Sequence, residues 1–155
     1  QQAASALGVD TLREGSPTDL PETLGRLSRL GDSAAPARVR HVVTEIARVE
    51  AFVDAVQADD FTTAGALMTA SHDSLRADYE VSCPELDLAV TTALRGGALG
   101  ARMTGGGFGG CAIALVQQEQ AHSIGAAVVA AFRQRQWPDP VPFTVTAARG
   151  AGRGC

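Results

Sequence analysis

The chain has 155 residues, which is enough for one domain with a short appendage, and its 45% hydrophobic content is ordinary for a globular protein with a core. The net charge of −4 argues against a nucleic-acid-binding surface, because neutralising phosphates takes an excess of Lys and Arg. Every one of the 13 basic residues is Arg. Schiff-base chemistry on a lysine and a lysine-containing Walker loop are therefore excluded for this stretch of chain.

The cysteines, the apolar runs and the first residues bear on where the protein works. The three cysteines Cys83, Cys111 and Cys155 are odd in number and have no CxxC spacing, which predicts a reduced, cytoplasmic setting. The longest apolar runs fall short of the ~18–20 residues that span a bilayer, so no membrane partner is expected. Residues 1–4 lack both Met and a signal-peptide pattern. We therefore expect the chain to be a fragment of a longer protein.

The first third of the chain is rich in Gly and Pro. Residues 1–8 are typical of a helix end, and a short helix is expected after a cap at Ser16 or Thr18, with Leu20, Leu24 and Leu27 on one face. We interpret residues 1–36 as an N-terminal helix and linker segment, followed by a domain at 37–155.

Three longer helices are predicted next. Over 37–59, apolar residues recur at steps of three and four, which is typical of an amphipathic helix. A second helix is expected from an N-cap at Asp60 to about residue 79. For the third, Ser82 is the predicted N-cap, with Pro84 in the first turn and Glu85 as its capping-box partner. That helix should end at the Gly pair 96–97.

The pattern then changes to short apolar segments separated by glycines. It predicts a strand at 98–104, a turn at 105–110, a buried strand at 111–116, a helix at about 119–136 and a last strand at 143–147. Helices followed by a β-loop-β-α-β unit indicate an α+β fold, with a small, mainly antiparallel sheet packed on the helices.

The turn holds five glycines in the six positions 105–110. Glycine reaches positive φ freely and lets a ligand approach the backbone, and successive N–H groups in such a turn form an anion-binding concavity. A plain hairpin is the alternative, but a two-residue hairpin needs only one or two glycines. Gly105, Gly107 and Gly110 also satisfy GxGxxG. A strand follows them rather than a helix, so a dinucleotide site is disfavoured, and no HRD or DFG sequence supports a protein-kinase loop.

The segment 102–111, Arg-Met-Thr-Gly-Gly-Gly-Phe-Gly-Gly-Cys, resembles the third motif of the GHMP small-molecule kinases in the form typical of galactokinases. The segment 71–87 is similar to the part of galactokinases that precedes this motif. Shorter similarities at 6–14, 40–45 and 149–151 occur in the same order, so the resemblance covers nearly the whole chain. It implies a C-terminal domain of the GHMP kinase type.

The resemblance also implies a reaction. In that family ATP with Mg²⁺ is the phosphoryl donor, and galactokinases transfer the γ-phosphoryl group to the C1 hydroxyl of galactose. The implied phosphate and nucleotide loop comprises Thr104, Gly105, Gly106, Gly107, Phe108, Gly109 and Gly110. The resemblance implies that the catalytic base and the sugar-binding residues lie in an N-terminal lobe. No segment of this sequence matches the motifs of that lobe. We therefore expect no catalytic residue in this chain and no activity from it alone.

Two other functions remain open from the sequence. The chain could belong to another GHMP kinase that acts on a different sugar or on a non-sugar alcohol. It could also be a galactokinase-like module that binds sugar and ATP without turnover. The sequence upstream of Gln1 would separate these alternatives.

Several single residues have two interpretations. Arg102 is a possible charge stabiliser beside the loop, or it pairs with Asp or Glu on a neighbouring helix. Phe108 is expected to anchor the loop or to act as a lid. Cys83 and Cys111 are expected to be buried small hydrophobic residues. The three histidines, none of them at metal-ligand spacing, are expected to be surface or satisfied helix residues: His41, His72 and His122.

One wall of a two-lobed active site should expose apolar surface when it is alone. Phe108, the approach at 98–99 and one side of the 37–59 helix are the expected places. Exposed apolar patches of interface size favour association, so the isolated chain is expected to self-associate or to be marginally stable. The alternative is that the helix buries its whole apolar arc inside this domain.

Overall fold

The structure is a computed structural model that describes residue 4 and residues 9–14, 19–29 and 34–146. The expected caps Ser16 and Thr18 lie outside the described residues. So do most of the expected helix end at 1–8, and everything from Ala147 onward.

Five helices and one β-hairpin make up the described fold, together with single 3₁₀ turns at Leu12–Glu14 and Gln118–Gln120. In chain order the elements are α1 (Leu20–Ser28), α2 (Ala35–Gln57), α3 (Phe61–Ala77), α4 (Pro84–Arg95), β1 (Gly100–Thr104), β2 (Cys111–Leu115) and α5 (Ala121–Gln134). This order of helices, hairpin and helix confirms the α+β prediction.

The starts of α3 and α4 show one correct and one wrong capping prediction. Asp60 caps α3, where its Oδ1 accepts a hydrogen bond from the Thr63 N–H at 3.0 Å. Ser82 does not cap α4; the N-cap is Cys83, with an extended backbone and no side-chain cap bond. The reason is Pro84, which occupies the first helical position and disfavours helical geometry in the residue before it.

The two strands pair antiparallel in a two-stranded sheet, with Gly100 opposite Leu115 and Thr104 opposite Cys111. Helices cover β1, and its residues Ala101 and Met103 are buried. The prediction that the second strand is buried is wrong, because β2 is an edge strand whose side chains are exposed from Cys111 to Ala114. Cys111 is therefore an exposed free thiol and not a buried hydrophobic residue, while Cys83 is half-buried.

The last predicted strand is not formed in the described part of its range, 143–146. The segment has the alternation of a strand, but the side chains of Val141, Phe143 and Val145 are exposed. A strand requires a neighbour to complete its backbone hydrogen bonds. Among the described residues the sheet contains only β1 and β2, so this segment has no partner strand.

The backbones of α3 and β1 approach each other so closely that only glycine fits at the contact. A Cβ on Gly100 would overlap the carbonyl oxygen of Gly65, and a Cβ on Gly65 would overlap that of Leu99. One turn further along α3, Thr69 Oγ1 accepts a hydrogen bond from the Ala101 N–H at 3.4 Å. This contact fixes β1, and with it the hairpin, along one face of α3.

Three apolar clusters join these elements. The first links α1 to α2, and its buried members are Leu27, Val39 and Val43. The second links α4, β1 and α5 through Val90, Ala93, Ala101 and Ile124. The third links α3, α4 and β1 through Leu75, Leu86 and Met103. The third cluster lies under the base of the glycine-rich turn.

Helix α2 buries only part of its apolar arc. Its N-terminal half packs Val39 and Val43 against α1, whereas Val49, Val53 and Val56 are 61%, 45% and 40% exposed. The alternative of a wholly buried arc is therefore wrong. No helix in the described ranges is both long enough and apolar enough to cross a membrane.

Candidate functional site: the glycine loop

Residues 105–110, called the glycine loop below, connect β1 to β2. Five of its six residues have positive φ: 88° at Gly105, 87° at Gly107, 59° at Phe108, 135° at Gly109 and 94° at Gly110. Side chains strain this region of φ, so glycine is favoured at four of these positions by the backbone alone. Phe108 is the costly exception, with a strain of roughly 1–3 kcal/mol.

Most of the loop's N–H groups have no hydrogen-bond acceptor among the described residues. The Phe108 N–H donates to the Val81 carbonyl oxygen at 2.7 Å. The other N–H groups of residues 105–110 make none of the turn or loop hydrogen bonds found in the described part of the chain. The loop and its two flanking residues, Thr104 and Cys111, line an open depression. Free N–H donors around a depression are the arrangement that binds phosphate oxygens.

Gly107 is held against the segment that joins α3 to α4. A Cβ at Gly107 would overlap the Val81 carbonyl oxygen and lie 2.8 Å from the Val81 Cβ. The same carbonyl oxygen accepts the Phe108 N–H, so the tip of the loop is fixed at Val81 by its backbone. Phe108 is 75% exposed, so the expectation that it anchors the loop is wrong; a role as a lid stays a prediction.

Gly106 differs from its neighbours. Its φ is not positive, and a Cβ built on it meets nothing within 4 Å. No contact among the described residues therefore requires glycine at this position. A requirement for glycine at this position would have to come from a group other than the described residues.

Arg102 lies on β1 close to the loop. Its Nε–H donates to the Met103 carbonyl oxygen at 3.0 Å, and burial lowers its pKa. In the described ranges Arg102 forms no ion pair with a carboxylate, so the predicted pairing with a helix Asp or Glu is not found. Nearby Arg48 does have a carboxylate partner, Glu45. The charge of Arg102 is thus left without a counterion in this part of the molecule.

Two of the three histidines are buried and the third, His122, is exposed. His41 is a satisfied helix residue, as expected: its Nδ1 lies 2.9 Å from Ser74 Oγ and its ring stacks on Tyr79. Burial lowers the pKa of His41. His72 differs, because it reaches the strand that leads into the glycine loop, a role that the sequence analysis missed. The available signal was its place inside the segment 71–87.

The donor set for a divalent cation is a separate question. The described ranges contain no group of three or more His, Cys, Asp or Glu side chains that could hold a metal ion. In kinase-type sites Mg²⁺ is typically held by one or two carboxylates together with substrate phosphates and waters, so such a group is not a requirement. None of the residues described here is assigned to a Mg²⁺ site.

Comparison with known protein families identifies the class. The family model described as GHMP kinases C terminal matches residues 52–134, more than half of the chain, and the glycine loop lies within the match. The chain belongs to the GHMP kinase family and carries its C-terminal domain.

The individual relatives that this chain resembles include galactokinases and a mevalonate kinase. A galactokinase of Streptomyces coelicolor is 47% identical over 154 residues, which are 99% of this chain and 39% of the relative. A crystal structure of Lactococcus lactis galactokinase complexed with galactose superposes with a TM-score of 0.81 at 36% identity, covering 87% of this chain and 35% of that one. An L. major mevalonate kinase complexed with R-mevalonate gives a TM-score of 0.52 at 28% identity, covering 79% of this chain and 35% of that one. The chain thus spans about two fifths of the length of the curated relative.

Proposed function

We propose that this chain is the C-terminal part of a galactokinase-type enzyme that transfers the γ-phosphoryl group of ATP to the C1 hydroxyl of galactose. The observation that carries the proposal is the glycine loop, which lines an open depression and whose N–H groups, apart from that of Phe108, have no acceptor among the described residues. The identity to galactokinases over nearly the whole chain supports galactose as the acceptor. ATP supplies the phosphoryl group when it is bound.

The loop's proposed task is electrostatic. In phosphoryl transfer the protein mainly positions the reactants and stabilises charge on the moving group. The backbone N–H groups of Gly105, Gly106, Gly109 and Gly110 offer donors that need no side-chain rearrangement, and Arg102 on β1 adds a positive charge that has no carboxylate partner among the described residues. Thr104, exposed at the end of β1, adds a hydroxyl at the rim of the depression.

We propose that the catalytic base and the sugar-binding groups lie in the rest of the protein. That remainder and this chain together form the intact kinase. We propose that residues 1–36 connect to that remainder and that residues 37–155 form the C-terminal domain. The reaction consumes ATP and the exposed Cys111 is a free thiol, so we propose that the intact kinase works in the cytoplasm.

A second function has one observation in its favour. The fold of this chain also matches a mevalonate kinase, although less closely than it matches a galactokinase. The same C-terminal domain is therefore compatible with a kinase for a non-sugar alcohol, and the acceptor has to be tested directly.

An acceptor panel tests the proposed function. The intact kinase, given ATP and Mg²⁺, should release ADP with galactose at ~1–100 per second, and the product should carry its phosphate on C1. Glucose and mevalonate serve as matched acceptors and should give background rates. The 155-residue chain alone should also give background, because it lacks the proposed base. Preferential turnover of mevalonate, or full turnover by the chain alone, would overturn the proposal.

The exposed apolar surface leads to a separate prediction for the chain alone. We propose that the rest of the intact kinase covers the stripe formed by Val49, Val53 and Val56, so the isolated chain should self-associate as its concentration rises. Size-exclusion chromatography over a wide concentration range measures this. A double variant, Val49→Glu with Val53→Glu, should shift the chain towards monomer. A wild-type chain that stays monomeric at high concentration and binds no hydrophobic dye would contradict the prediction.

A further inference from the structure

His72 lies at the point where α3, α4 and β1 meet. It is only 3% exposed. On one side its Nδ1 accepts a hydrogen bond from the Met103 N–H of β1 at 3.3 Å. On the other side its Nε2 lies 3.2 Å from Asp87 Oδ1 of α4. A single ring therefore connects the strand that enters the glycine loop to the helix that follows Val81.

These contacts define the proton positions on the ring. Because Nδ1 accepts from an amide N–H, it carries no proton, and the neutral ring must be protonated at Nε2. That N–H faces the Asp87 carboxylate. The alignment falls short of a good hydrogen bond, and Nε2 has no other partner among the described residues. Asp87 is thus the one group present that can satisfy this buried donor.

Asp87 accepts a hydrogen bond from the same segment that fixes the tip of the loop. Ser82 Oγ donates to Asp87 Oδ1 at 2.6 Å, and the residue before Ser82 is Val81, whose carbonyl oxygen accepts the Phe108 N–H. The loop is therefore held twice. Its tip is fixed at Val81, and its base is fixed by His72 at Met103, two residues before Gly105.

We propose that His72 is a positioning residue for the glycine loop: acting with Asp87 and Ser82, it fixes the end of β1 so that the loop's N–H groups are preorganised for phosphate. This inference rests on the proposed function for its kinetic consequence, but not for the structural one. Preorganised donors cost no rearrangement when charge develops, which is why their placement affects phosphate binding.

Charged groups around His72 come from two of the elements packed against it. Asp87 on α4 faces Nε2, and Asp73 and Arg76 lie beside His72 on α3; β1 contributes the Met103 N–H, and its one titratable residue, Arg102, is not among the charges that act on His72. Burial is the largest influence and lowers the pKa of His72 below 6.5, against the opposing effect of Asp87. Protonation would place an N–H at Nδ1 against the Met103 N–H and release the end of β1.

The sign of the pH effect follows from that direction. The folded pKa lies below the ordinary 6.5, so on acidification the unfolded chain binds the proton first. The stability contributed by neutral His72 is complete above pH 6.5 and declines as the pH falls from there towards the lowered pKa. Burial lowers the pKa of His41 as well, so global stability alone does not isolate His72.

Two substitutions separate the two sides of the ring. The amide oxygen of Asn in His72→Asn can take the place of Nδ1 and accept from Met103, but Asn is too short to reach Asp87. Gln in His72→Gln can reach Asp87, but it leaves the Met103 N–H without an acceptor. His41→Gln is the matched control, because it alters a buried helix histidine whose Nδ1 contacts Ser74 of α3 and not an N–H of β1.

The test is hydrogen exchange of the bonded Ala101, Met103 and Phe108 N–H groups in the ligand-free intact kinase at pH 7.5. His72→Gln should speed exchange there about fivefold, the loss expected for one hydrogen bond, His72→Asn should speed it less, and His41→Gln should leave it unchanged. At saturating galactose, His72→Gln should raise the KM for ATP and leave the KM for galactose unchanged. Equal exchange in all three variants and the wild type would overturn the proposal.

A milder variant and a separate readout keep the outcomes distinct. If the His72 variants do not fold, Ser82→Ala should still speed exchange of these three N–H groups, because it releases Asp87; unchanged exchange there would refute the proposal. The exchange measurement needs no substrate. If exchange changes as expected but galactose is not phosphorylated, the proposed function fails and the role of His72 stands. If galactose is phosphorylated but exchange is unchanged, the proposed function stands and the role of His72 fails.

Discussion

Gly107→Ala in the intact kinase should remove most of the activity and lower the stability of the protein. The φ of 87° at Gly107 strains any side chain, and a Cβ there would overlap the carbonyl oxygen of Val81. The same oxygen accepts the Phe108 N–H, so the substitution should also break the bond that fixes the tip of the loop. Strain of this kind costs roughly 1–3 kcal/mol. Thermal unfolding together with the rate at saturating ATP and galactose measures both effects.

Gly106→Ala is the control for this prediction. Gly106 has no positive φ, and a Cβ there meets nothing within 4 Å, so the melting temperature should stay at the wild-type value. If Gly107→Ala also melts like the wild type and turns over normally, the loop is not fixed at Val81 in the way described.

Gly65→Ala should be among the most destabilising single substitutions in the chain. Gly65 is buried on α3, and its added Cβ would overlap the Leu99 carbonyl oxygen, which belongs to rigid backbone at the start of β1. Relieving the overlap requires α3 to move away from β1, which disturbs the cluster around Leu75, Leu86 and Met103. Overpacking of this kind typically costs about 1–3 kcal/mol and occasionally more. Urea unfolding of the intact kinase should show a lower midpoint or loss of soluble protein.

Gly25→Ala on α1 is the matched control, because it also replaces a glycine inside a helix. Its added Cβ would meet only the end of the Arg29 side chain, at 3.9 Å. Replacing Gly by Ala inside a helix generally stabilises by about 0.5–1 kcal/mol, so this variant should unfold at slightly higher urea. Equal midpoints for Gly65→Ala and Gly25→Ala would show that α3 does not approach β1 this closely.

The helices could be predicted from the sequence because their signals are local. The repeat of apolar residues over 37–59 predicts α2, and the Asp60 cap predicts the start of α3. The capping error at Ser82 also has a local cause, because Pro84 restricts the backbone of Cys83 and makes that residue the cap. The glycine loop was also predicted, since a run of glycines between two apolar segments is visible without any tertiary information.

Burial of the strands could not be predicted in the same way. An apolar strand such as β2 is buried only if another element covers it, and in the described residues it lies at the edge of the sheet. The segment 143–146 alternates like a strand but lacks a neighbour among the residues that the structure describes. Both errors concern the partner of a segment, which the local sequence does not contain.

The position of the glycine loop could be predicted from the sequence, but the separate roles of its residues could not. The sequence shows five glycines, yet the difference between Gly106 and Gly107 depends on where Val81 lies. In the sequence, nothing distinguishes His72 from another helix histidine. It contacts Met103 only because α3 packs against β1. Contacts between elements distant in sequence decide both cases.

The KM for ATP of Gly106→Val in the intact kinase tests most directly whether the loop binds the phosphates. A Cβ at Gly106 meets nothing within 4 Å, and Gly106 lines the depression, so the added side chain should occupy space that a phosphate would need without disturbing the described chain. The KM for ATP should rise by about tenfold or more, corresponding to ~1.4 kcal/mol of lost binding, while the KM for galactose and the melting temperature stay near the wild-type values. An unchanged KM for ATP together with an unchanged kcat would contradict phosphate binding at the glycine loop.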